Sequence, residues 1–282
     1  MIVLEDSAIR AQFDPEHGLN MMSLIIDEIE VIDQKTKKGF LESSRGLGPI
    51  IGPHFYHRRS DTIPFLGDEV MQKLHQIINF RDDPEPFSHG IGRYVPWKIV
   101  SQDKKHFKAH LSSKDPILNL TLGDIEGFDF SLEFTAKVTE RTLHISYNAK
   151  SSLEPVVVGL HTYYGIYPGM HQVELSGAPF YYDKLQKRAV PTEWLKDSRL
   201  FVPLDRALDF TFTPQLNKDG FGTVEVKNGV HTLTISAKAD PDLSFQIYKD
   251  PASSFVCIEP IAAINPRIVT KKHALLEVKI TM

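Results

Sequence analysis

Two residues of this chain are spaced and surrounded as an acid–base pair would be. His161 lies in the run Val156-Val157-Val158-Gly159-Leu160-His161-Thr162-Tyr163-Tyr164-Gly165-Ile166, whose Val, Ile and Tyr content suits a pleated, half-buried strand. Period-2 alternation sets Val157, His161 and Tyr163 on one face and Val156, Val158, Leu160, Thr162 and Tyr164 on the other, so one imidazole is aimed out of an apolar and aromatic run. Glu259 closes a second apolar run, Phe255-Val256-Cys257-Ile258-Glu259-Pro260, where a carboxylate is costly to bury unless it is paired or used. An imidazole titrates near about 6.5 and a desolvated carboxyl moves up towards it, which suits proton transfer. The residues alone also permit a core histidine satisfied by a carbonyl, and a glutamate paired with a lysine or arginine.

Further candidates lie in loops. His89 and Arg93 end the Pro-rich segment 82–93, with Gly90 and Gly92 letting the backbone bend so that both side chains face one way; an arginine there can fork onto a hydroxyl pair or an anion. A surface His and Arg beside a turn are also commonly just solvated, and Asp82, Asp83 and Glu85 read as a solvated face. Residues 45–55 hold too much Gly and Pro for a helix or a central strand, which implies turning backbone or close approach.

The elements that must carry these residues are almost all strands. Short strands at 8–13, 23–26 and 28–32 are joined by tight turns. A helix is expected over 68–80, with Val70, Leu74, Ile77 and Ile78 at helical spacing and Asp68 and Glu69 in its first turn. A meander follows at 95–100, 106–112, 117–122, 127–139 and 142–149, where Phe128, Phe130, Leu132, Phe134, Ala136 and Val138 alternate with polar residues as in an antiparallel sheet with one wet face. Strands resume at 172–176, 221–226, 230–237, 243–248, 254–259 and 274–282. With no internal repeat and no linker long enough to divide it, the chain reads as one large antiparallel β domain over residues 1–282.

Composition narrows the function classes. A formal charge of -4 gives no basic field for nucleic acid or an anionic membrane, and no run approaches membrane-spanning length. One cysteine, Cys257, excludes an intramolecular disulfide framework and fits a reducing compartment, so a cytoplasmic location is expected. No zinc-type Cys/His spacing occurs, and nothing points to a particular oligomeric state.

The motif order resembles the aldose 1-epimerase (galactose mutarotase-like) superfamily. The resemblance rests on His89-Gly90-Ile91-Gly92-Arg93 followed by Pro96-Trp97, then Leu160-His161-Thr162-Tyr163-Tyr164, then Val256-Cys257-Ile258-Glu259-Pro260. The pattern is most similar to the hexose-6-phosphate mutarotase branch, which Arg45-Gly46-Leu47-Gly48-Pro49 and Leu204-Asp205-Arg206 also resemble, although Leu47 stands where that branch has a second glycine. The resemblance implies a mainly β, large antiparallel β-supersandwich with few short helices, and a metal-free isomerase that needs no cofactor. It further implies that Glu259 is the base and His161 the acid of sugar-ring opening, and that His89, Arg93 and Asp205 clamp hydroxyls. Arg45 with Arg93 would take a 6-phosphate, so the expected partner is a small-molecule sugar or sugar phosphate. Two other classes stay open: a non-catalytic sugar-binding or sensing module, which has no need of acid and base together, and a glycosidase or polysaccharide lyase. A glycosidase ordinarily has two active carboxylates, whereas only Glu259 stands out here.

Overall fold

The computed structural model describes residues 1–58, 64–80, 87–227 and 231–282. The alternation in the sequence becomes two large antiparallel sheets. The first has ten strands, in the order Leu195–Lys196, Arg199–Pro203, Gln172–Leu175, Gly222–Lys227, Thr232–Asp240, His273–Thr281, Thr142–Ser151, Phe130–Thr139, His106–Ser112 and Lys98–Gln102. Its centre follows the expected pattern: Phe130, Leu132, Phe134, Ala136 and Val138 are buried, and the intervening residues face outward. The second, eight-stranded sheet runs Gln186–Ala189, Gly177–Asp183, Leu208–Pro214, Ser244–Lys249, Phe255–Ile261, Gly159–Leu160 and Ile50–Ile51, with Thr162–Gly165 also paired to Phe255–Ile261. An N-terminal meander of Ile2–Asp6, Ile9–Asp14, Asn20–Ile26 and Ile29–Glu30 packs into the same apolar core, where Phe13 meets Phe107 edge-on at 5.0 Å between ring centroids.

Several boundaries differ from those expected, each for a local reason. The strand expected over 117–122 is a two-residue hairpin, Pro116–Ile117 with Leu120–Thr121, followed by the helix Leu122–Glu126. Thr121 and Asp124 form a reciprocal capping box that starts this helix, and Gly127 at φ 88° ends it, so the next strand begins only at Phe130. The helix expected over 68–80 covers Asp68–His75; Leu74 is its buried anchor, and Ile77, beyond the helix, is 51% exposed. Strand Ile2–Asp6 and those between Gly177 and Pro214 were not expected as strands. The acids Asp82, Asp83 and Glu85, and the start of the strand expected at 230, lie outside the described residues. Among the described residues, no helix is long and apolar enough to cross a membrane.

The expected 156–166 strand is interrupted. Gly159–Leu160 and Thr162–Gly165 both pair with Phe255–Ile261, and the backbone N–H of His161 instead donates to the Pro49 carbonyl at 2.8 Å. The register is unbroken across the gap. Gly159 faces Ile261 and Thr162 faces Ile258, which sets His161 opposite Glu259. Glu259 itself lies inside its strand rather than at its end.

Candidate active site

Register and side-chain alternation together build one face. Glu259 pairs across the ladder with Gln246, Gln246 pairs with Thr211, and Cys257 pairs with both Tyr163 and Tyr248. Because residues i and i+2 of a strand share a face, His161 and Tyr163, Glu259, Gln246 and Tyr248, and Asp209 project to the same side of four adjacent strands. They form the floor of a cleft of about 700 Å³. Loops supply its walls: Arg45, Phe55 and Tyr56, then His89 and Arg93, with Lys184 and with Arg267, whose guanidinium lies over the Phe55 and Tyr56 rings.

His161 Nε2 and Glu259 Oε1 are 3.3 Å apart on this floor, and both side chains are buried. Burial pushes the Glu259 carboxyl well above its ordinary range, opposed by the Arg93 guanidinium beside it, and burial with Arg93 holds His161 well below the usual imidazole value. The His161 ring stacks on Tyr163 at 5.0 Å, and Tyr163 meets Phe255 edge-on at 4.7 Å, so the imidazole orientation is fixed by packing. Arg93, 3% exposed, donates from Nε to the Ile50 carbonyl at 3.1 Å. Its Nη2, Glu259 Oε2 and His161 Nδ1 are buried without a hydrogen-bond partner among the described residues. Orphaned polar atoms grouped in one cleft are the pattern that a polyhydroxylated ligand satisfies.

His89 stands on the wall, its ring edge-on to that of His161 at 5.3 Å. Its Nδ1 accepts from the Tyr56 N–H at 3.3 Å, and burial, Arg93 and His161 all hold it well below the usual imidazole range. The neutral ring therefore carries its proton on Nε2 and is a hydrogen-bond donor. The loop is anchored by Trp97, whose indole N–H donates to the Gly92 carbonyl at 2.8 Å, and by Gly18, which lies against the Arg93 backbone.

The structure brings His161, Glu259, His89, Arg93 and Arg45 to one cleft. Asp205 does not join them: it is exposed and pairs with its neighbour Arg206 at 2.8 Å. A second acid on the cleft floor, beside Glu259, is Asp209, whose Oδ1 accepts from Gln246 Nε2 at 2.5 Å while Oδ2 lies 4.0 Å from Arg267. Sequence reasoning passed over it. The available signal was Leu208-Asp209-Phe210-Thr211-Phe212, alternating polar and apolar positions in which Asp209 and Thr211 share a face.

Ligand atoms of His161, Cys257 and Glu259 lie within 4.8 Å of one another, close enough for a small cation. One feature opposes it: Arg93 puts a positive charge beside the Glu259 carboxyl.

The raised carboxyl has a stability consequence. A group whose folded pKa exceeds its unfolded value near 4.5 binds more protons when folded, so its contribution is lost as pH rises through the folded pKa. Glu259→Gln is therefore expected to be more stable than the wild type by about 1 kcal/mol or more near pH 8, with the difference vanishing near about pH 4.5. Urea unfolding of both proteins across this range checks the sign; a gain that grows on acidification would contradict it.

The architecture is that of the galactose mutarotase-like proteins. Solved structures that it matches include galactose mutarotase-like proteins from Lactobacillus casei ATCC 334 (TM-score 0.69, 15% identity, 99% of this chain and 99% of that one) and from Clostridium acetobutylicum (0.70, 13%, 99% and 95%). A candidate aldose 1-epimerase from Escherichia coli K12 matches with a TM-score of 0.70 at 12% identity over 99% of this chain and 97% of that one. No protein-family model and no curated protein sequence matches the chain.

Proposed function

We propose that this protein is an aldose 1-epimerase that interconverts the α and β anomers of a hexose or hexose 6-phosphate, with residues 1–282 acting as one unit. The reading rests on one observation above others: a buried imidazole and a buried carboxylate 3.3 Å apart on the floor of a polar, aromatic-walled cleft. The likeness to mutarotase-like structures supports it.

The reaction needs one proton removed and one supplied. Glu259, as carboxylate, takes the proton from the anomeric hydroxyl O1. The C1–O5 bond breaks, its electron pair goes to the ring oxygen O5, and O5 takes a proton from the His161 imidazolium. The aldehyde rotates about C1–C2 and O5 attacks its other face, returning its proton to His161 while Glu259 protonates O1. Atoms and charge balance without a cofactor. The pair holds one proton in all, and burial favours its neutral form in the empty cleft. A sugar hydroxyl donating to Glu259, with Arg93 alongside, favours the carboxylate, and the ring oxygen accepting from His161 favours the imidazolium against the opposing charge of Arg93, which gives the form from which the reaction starts. His89 Nε2–H and Arg93 serve the hydroxyls as donors. Asp209 takes the acceptor role that Asp205 is too far from the cleft to fill.

Arg45 and Arg93 are the proposed ligands of a 6-phosphate, since charge-assisted bonds to a forked guanidinium suit that group. Arg45 is half-buried in the wall; its backbone N–H donates to the Gly39 carbonyl, while its guanidinium makes no hydrogen bond or ion pair among the described residues. Arg45→Ala is expected to lower kcat/KM for glucose 6-phosphate by about 10–100-fold while changing that for glucose little. Equal losses for both sugars would remove the phosphate role. The test of the whole reading is the α-to-β exchange rate of glucose, galactose and glucose 6-phosphate, by NMR saturation transfer, with and without protein. A folded protein that binds sugar but accelerates none of them would be a binding module.

A further inference from the structure

Glu126 is a fully buried acid, 0% exposed, in the short helix Leu122–Glu126, and it takes no part in the proton transfers above. A carboxylate in that setting is retained only where its bonds are worth its desolvation. Both of its oxygens are engaged. Oε1 accepts from the Ile91 N–H at 2.5 Å, and Oε2 lies 3.0 Å from His54 Nδ1. Next to it in the chain, the Ile125 carbonyl accepts from the buried Arg58 guanidinium.

Both bonds lead to the same side chain. Ile91 sits between His89 and Arg93. His54 precedes Phe55, whose ring packs edge-on against the His89 ring at 4.9 Å. Meanwhile the His89 loop is held in a conformation that an L-residue chain resists: Phe87 has φ 62°, His89 φ 69° and Gly90 φ 92°, and the facing Tyr56 has φ 62°. Such backbone persists only where surrounding bonds over-determine it. Main-chain bonds tie the two loops together, Gly52 N–H to His89 O at 2.8 Å and His89 N–H to Tyr56 O at 3.0 Å. Other bonds hold the pair at its ends, Val157 N–H to the Pro53 carbonyl at 2.9 Å and the Trp97 indole N–H to the Gly92 carbonyl at 2.8 Å. Glu126 links each loop to the rest of the fold.

We propose that Glu126 is a positioning residue that fixes the His89–Arg93 loop against the cleft, so that the donor on His89 Nε2 and the Arg93 guanidinium meet the sugar in register with His161 and Glu259. The proposal rests on the epimerase reading for its kinetic consequence and not for its structural one. Glu126→Gln keeps the size and one acceptor, but replaces the oxygen facing His54 by an N–H donor.

The test pairs a spectroscopic with a kinetic measurement. In Glu126→Gln the ¹⁵N and ¹H resonances of the His89 ring are expected to shift from their wild-type values, and kcat/KM for the best hexose to fall about 10-fold or more, mainly through KM. In a His89→Ala background the same substitution is expected to cost less than about 3-fold, because one of the two donors it positions is gone and the other, Arg93, keeps its own bond to the Ile50 carbonyl. Unchanged His89 resonances in a folded Glu126→Gln protein, or an equal loss in both backgrounds, would overturn the proposal. Should Glu126→Gln not fold, His54→Gln leaves the bond to Ile91 intact and is expected to shift His89 in the same way to a smaller extent; no shift there also overturns it. If the wild type accelerates no sugar, the epimerase reading fails while the His89 resonances still decide the positioning role.

Discussion

Glu259→Gln is expected to lose about 10²–10⁴-fold of the acceleration of anomer exchange, with the fold intact. The substitution keeps the shape of the side chain and its place opposite Gln246, but removes the oxygen able to take the O1 proton. Since the uncatalysed reaction already runs in water, the loss should leave a rate near background. His161→Asn is expected to fall by a similar factor, and the double variant by little more than either alone, because acid and base act on one event. Saturation-transfer rates for the three variants measure this. A Glu259→Gln protein that retained wild-type exchange would remove the carboxylate from the mechanism.

Gly18→Ala is expected to be among the most damaging small changes at the described residues. Gly18 has φ +68° and lies so close to Arg93 that an added Cβ would be 1.8 Å from the Arg93 carbonyl oxygen and 2.8 Å from its Cα. Neither contact can be relieved by turning a side chain, since both are with backbone. The Gly18 N–H also donates to the Val95 carbonyl at 3.1 Å, so moving Gly18 away breaks one of the bonds, with Trp97 N–H to the Pro15 carbonyl, that tie the N-terminal meander to this loop. A loss of roughly 3 kcal/mol is expected, combining left-handed strain with overpacking. Urea unfolding reads the stability and sugar titration reads the displaced arginine; a protein of wild-type stability would mean that the loop yields freely.

Much of the site was legible in the sequence because strand alternation and chemistry coincide there. His161 and Glu259 are polar exceptions in apolar runs, and their meeting follows from one antiparallel register. The strand break at His161 was not legible, since it arises where the 47–53 loop takes the hydrogen bonds of His161 and Tyr163. Asp205 drew attention through its neighbours Leu204 and Arg206, yet an Asp beside an Arg at the surface satisfies itself. Asp209 was hidden in a stretch whose pairing is irregular, with a register shift between Gly177 and Tyr181 and an exposed edge at Gln186–Ala189. Glu126 reads in sequence as one acid among several, because burial of a single carboxylate is decided by His54 and Ile91, which approach from distant parts of the chain.

The division of labour between sheet and loops bears on how such a protein can change. The proposed proton-transfer pair is held by strand Phe255–Ile261 and its neighbour inside a sheet, whereas Arg45, Tyr56, Lys184 and Arg267 stand on separate connections. Alterations in those connections can retune ligand preference one wall at a time, in natural drift or in directed evolution, while the reactive centre is inherited unaltered.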